Sequence, residues 1–108
     1  MGVAYAIERK IVFSDIEDGM GCDDFYMAYN DLVRKMQDTL TIHDYLPSNL
    51  GEFEVRFDAI YAMVEYLRKL KDPDATELVL GEMLEEILQN ADTGRYDTIV
   101  LFLDGCTV

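Results

Sequence analysis

The chain has 108 residues and a mass of 12.4 kDa, and half of its residues are apolar; 22 Asp and Glu against 9 Lys and Arg give a net charge of −13. That length suits a single domain, residues 1–108, which can bury about two-thirds of its unfolded surface and so needs neither disulfide nor structural metal to form a core. The composition excludes general disorder, and no apolar run approaches the roughly 18 residues of a membrane-spanning helix.

Residues 3–13 are rich in Val, Ile, Tyr and Phe, and Val3, Tyr5, Ile7, Ile11 and Phe13 fall on one face of an extended segment. Glu8, Arg9 and Lys10 interrupt it without a Gly or Asn to favour a tight turn, so one strand is expected rather than a hairpin. Ser14 to Cys22, with Gly19 and Gly21, reads as a loop. A helix should start near Asp23, because Phe25, Tyr29, Leu32, Val33, Met36 and Leu40 recur at three- and four-residue spacing. Asp23 and Asp24 at its start and Arg34 and Lys35 near its end complement the helix dipole.

Thr41 to Ser48, with His43 and Pro47, reads as a connection. Asn49 and Glu52 have the spacing of a capping box, which predicts a second helix carrying Phe53, Phe57, Ile60, Val64 and Leu67 on one face. Glu52 to Phe57 also alternates as a strand would, so the beginning of this helix is open to either reading. Apolar residues almost all round it place the second helix centrally. Asp72 as N-cap and Pro73 as first helical residue start a third helix, which runs to about Gln89 and buries Val79, Leu80, Met83, Leu84 and Ile87. Thr98 to Leu103 has the apolar density of a covered strand. The expected architecture is α+β: about three helices and a small sheet formed by the N- and C-terminal strands.

No catalytic residue, metal site or cofactor is expected. Ile11 to Gly19, an apolar strand running into Asp15, resembles the opening of haloacid-dehalogenase-type phosphatases. Glu17 stands where that family has its second aspartate, and the long α/β sheet with downstream Lys and Asp motifs has no counterpart here. An EF-hand register through Gly19 puts Ile16 and Phe25 at ligand positions, which cannot bind calcium through their side chains. His43 is the only histidine, and no Ser or Cys sits near it at a motif-like spacing. Cys22 and Cys106 make neither a CxxC pair nor a zinc set, and free thiols in a reducing cytoplasm are expected. No basic stretch leading into an apolar run opens the sequence, so no secretory signal is expected.

The informative feature is the surface. Residues 14–50 carry −6 and residues 73–108 carry −7, whereas residues 51–72 are nearly balanced at −1 and residues 1–13 carry +1. Such a field disfavours direct binding to nucleic acid or anionic membrane and favours a basic protein surface. Two acidic patches are candidates for partner binding: Asp15, Glu17, Asp18, Asp23, Asp24 and Asp31 in one, and Glu82, Glu85 and Glu86 around Leu78 in the other. A leucine ringed by acids has the form of an apolar anchor inside a charged rim. The expectation is an acidic inhibitor of a basic nuclease or other nucleic-acid-handling protein, its carboxylates standing in for phosphates. Phage anti-restriction or anti-CRISPR proteins and nuclease-toxin immunity proteins work in such settings. The alternative is a non-catalytic assembly module, possible as a homodimer, that associates through its terminal strands.

Overall fold

The computed structural model describes residues 2–7, 10–12, 21–47, 51–90 and 97–104, with side chains described for 23–47, 53–90 and 97–101. Four strands and three helices alternate as β1 (Gly2–Ile7), β2 (Lys10–Val12), α1 (Cys22–Lys35), β3 (Gly51–Arg56), α2 (Phe57–Lys69), α3 (Ala75–Asn90) and β4 (Thr98–Asp104), with a short 3-10 turn at Ile42–Asp44. The fold is α+β. All strand pairs are antiparallel, in the order β2-β1-β4-β3.

The N- and C-terminal strands do pair, with Gly2 opposite Asp104 and Ala6 opposite Val100. They lie at the centre of the sheet, each paired on both sides within the chain, so the outer strands are β2 and β3. The single strand expected over residues 3–13 is a hairpin instead: Ile7 pairs with Lys10 and Tyr5 with Val12. The pairing gained along β1 outweighs the lack of favoured turn residues, a preference that tertiary context overrides.

Of the two readings the sequence leaves open at the start of the second helix, the strand is the one formed. Residues 51–56 form β3 rather than the opening of α2, with Phe53 opposite Leu101 and Val55 opposite Ile99. The alternation of Phe53, Val55 and Phe57 with Glu54 and Arg56 is a period-two pattern, and β4 supplies the partner that selects it. Asn49, the cap expected for this helix, lies outside the described residues. α2 starts at Phe57, whose N–H donates to the carbonyl of Asp97 at 2.9 Å, so the chain passes from strand to helix beside the start of β4. α3 starts two residues later than Asp72–Pro73 predicts. The Asp74 carboxylate accepts from the Glu77 N–H at 2.7 Å while Glu77 accepts from the Asp74 N–H at 3.1 Å, a reciprocal cap that fixes the start.

The helices cover one face of the sheet. α3 packs against both α1 and α2, while α1 contacts β1 and α2 contacts β3. The central helix is thus α3, not α2 as its all-round apolar pattern suggested; Tyr61 and Glu65 leave α2 a solvent-facing strip. The core joins Phe25, Tyr29, Leu32 and Val33 of α1, Ile60 and Met63 of α2, and Leu80, Met83, Leu84 and Ile87 of α3 to Ile99 and Leu101 of β4. Each such side chain contributes about 1.5–3 kcal/mol by leaving water. No helix among the described residues is long and apolar enough to cross a membrane.

Candidate functional site

The acidic residues divide between surface and interior. Asp15, Glu17 and Asp18 lie outside the described residues, as do the thiols of Cys22 and Cys106. Asp23, Asp24 and Asp31 are exposed along α1, with Met27 exposed between them, and Asp31 is paired with Arg34 one turn on. On α3, Leu78 is 55% exposed and Glu82 is exposed, whereas Glu85 and Glu86 are half-buried. Glu85 accepts from Arg68 of α2 at 2.9 Å. Leu78, Glu82 and Glu85 come together along a shallow groove of about 170 Å³ between α2 and α3, floored by Val64, Leu67 and Gly81. The groove is formed because Gly81, with no side chain, faces Leu67 on the neighbouring helix. The patch is less acidic than its sequence suggests, since Arg68 neutralises one of its carboxylates.

α1 meets α3 where Lys35 and Glu77 approach to 3.9 Å beside Asp31 and Asp74, and Glu77 also lines the groove of Leu78 and Glu82. Among the described residues no group of three or more His, Cys, Asp or Glu could hold a metal ion.

A second concave feature was not anticipated. A cleft of about 430 Å³ opens between β3 and residues 42–47. Its polar centre is Asp44, whose side chain is 3% exposed and bridges to Arg56, which is 51% exposed. Arg56 donates through Nε to Oδ1 at 3.1 Å and through Nη2 to both carboxylate oxygens at 2.9 Å. The Asp44 carboxylate also accepts from the Thr41 N–H at 2.9 Å, and Thr41 Oγ1 accepts from the His43 N–H at 3.2 Å. These bonds make a capping box around the 3-10 turn. Asn30 of α1 ties the same segment down, accepting from the Leu46 N–H at 2.8 Å and donating to its carbonyl at 3.0 Å.

Tyr29 reaches this centre from α1. Its side chain is fully buried, and its hydroxyl has no hydrogen-bond partner among the described residues. Burial pushes its pKa well above the ordinary 10.0, the Asp44 charge pushes in the same direction, and Arg56 opposes both, so the phenol stays protonated at neutral pH. His43 is exposed at the mouth of the cleft.

Within the connection from Thr41 to Ser48 the sequence holds one signal for this cleft: Thr41 and Asp44 at the spacing of a capping box. Nothing local pairs Asp44 with Arg56, twelve residues away, or brings Tyr29 beneath them. Comparison with protein-family models, curated proteins and solved structures finds no match.

Proposed function

We propose that this domain is a binding protein that docks its acidic helical surface onto a basic, nucleic-acid-handling protein and excludes nucleic acid from that partner. The observation that carries the proposal is Leu78, 55% exposed beside Glu82 and Glu85 on the groove between α2 and α3. An exposed leucine within a carboxylate rim supplies both parts of such an interface: apolar burial holds the complex, and the −13 net charge accelerates its formation. For scale, 13 charges equal those on roughly 22 Å of duplex DNA. Asp23, Asp24 and Asp31 on α1 extend the negative field toward the partner. The partner is a basic protein such as a nuclease met in the cytoplasm; an anti-restriction, anti-CRISPR or immunity role fits this chemistry.

The test is capture of the partner from lysate followed by competition. The captured protein should lose its DNA or RNA when this chain is added in stoichiometric amounts. A Leu78→Ser, Glu82→Lys variant with an unchanged melting temperature should leave the nucleic acid bound. Displacement by the variant as strong as by the wild type would reject the groove, and a ternary complex with nucleic acid still bound would reject mimicry.

A further inference from the structure

The cleft beside β3 has features that the acidic-surface reading does not use. Its volume, about 430 Å³, lies within the range of about 300–1,000 Å³ for small-molecule sites. Its walls combine the half-buried rings of Phe53 and Tyr45 with Leu46, Val55 and Pro47. Two side chains that carry donors line it. One is the Tyr29 hydroxyl, buried and without a partner among the described residues. The other is Arg56, whose Nε and Nη2 are committed to Asp44 while Nη1 is not.

A buried hydroxyl left unsatisfied costs free energy, and an arriving oxygen acceptor recovers it. Charge decides what kind of acceptor. Arg56 is already compensated by Asp44, and Glu54 adds a carboxylate to the cleft lining, where its Oε1 accepts from the Thr98 hydroxyl at 2.7 Å. The local balance is therefore one negative charge, within a chain of net −13. An anionic ligand would face that field, whereas a neutral carbonyl meets the same two donors without it.

We propose that this cleft binds a small neutral carbonyl compound of the amide type, its oxygen accepting from Tyr29 and Arg56 and its apolar body lying against Phe53 and Tyr45. Occupancy would also brace the 42–47 segment against β3, since both walls contact the same molecule.

The test is titration of the full chain with benzamide, followed by amide chemical shifts, with benzoate as the charged counterpart of the same shape. Benzamide should give saturable shifts at the residues lining the cleft, and benzoate should bind more weakly. Tyr29→Phe should weaken benzamide by about three- to tenfold, the equivalent of one hydrogen bond, with the fold intact. Benzoate binding as tightly as benzamide would overturn the choice of a neutral ligand. Unchanged benzamide affinity in Tyr29→Phe would overturn the role of the hydroxyl. Absence of any saturable shift with either compound would overturn the site.

Discussion

Asp44 and Arg56 form one ion pair, yet their removal should have unequal consequences. Their side chains are 3% and 51% exposed, so the acid is in the interior and the base is at the surface. Replacing Arg56 by Ala strands a buried carboxylate with only the Thr41 N–H and hydroxyl nearby, at 2.9 Å and 3.4 Å. Uncompensated buried charges of this kind cost about 3–5 kcal/mol. Replacing Asp44 by Ala leaves a guanidinium that can turn into water. The remaining loss is the cap on Thr41, at about 1–2 kcal/mol. The Arg56→Ala variant should thus be the less stable by about 2 kcal/mol, and adding Asp44→Ala to it should recover most of that difference. Urea unfolding of the two single variants and the double variant, compared at a common slope, measures all three values. If Asp44→Ala costs as much as Arg56→Ala, or the double variant is the least stable of the three, the carboxylate is not stranded and the asymmetry is wrong.

Tyr29 sets an alkaline limit on stability. Its folded pKa lies above the unfolded value of 10.0, so the native state keeps a proton that the unfolded chain releases. The stabilisation is complete below pH 10 and is lost as pH rises beyond it, at up to about 1.4 kcal/mol per pH unit. Tyr29→Phe should flatten that decline in alkaline melting curves; an equally steep decline would place the titrating group elsewhere. Gly81→Ala should stabilise α3 by about 0.5–1 kcal/mol in thermal unfolding, because the new methyl meets Leu67 only at ordinary contact distances of 3.6 and 3.9 Å. A destabilised Gly81→Ala would show that the two helices cannot accept even that methyl. Asp74→Ala should cost about 1 kcal/mol through loss of the reciprocal cap with Glu77, whereas Asp72→Ala should be near neutral; the reverse order would restore Asp72 as the cap.

The helices were legible in the sequence because their signal is local. Phe25, Tyr29, Leu32 and Val33, or Leu80, Met83, Leu84 and Ile87, declare a buried face through spacing alone, and all eight are in the core. The strong acidity, the outward position of Leu78, and the pairing of the two terminal strands follow from the same reading of periodicity and charge. The rest depends on what lies across space. Residues 51–56 satisfy both a helical and an alternating pattern, and only the presence of β4 beside them makes the strand the lower-energy choice. The hairpin from β1 to β2 forms against local turn preference because strand pairing repays it. α3 takes the middle of the helical layer, which leaves Leu78 and Glu82 outward and draws Glu85 toward Arg68. Asp44, Arg56 and Tyr29 come from three separate segments, and the cleft exists only where the closed fold brings them together. Spacing fixes which face of an element is apolar, but ion pairs, orphaned hydroxyls and cavities are properties of non-local contacts, and those were settled by tertiary packing.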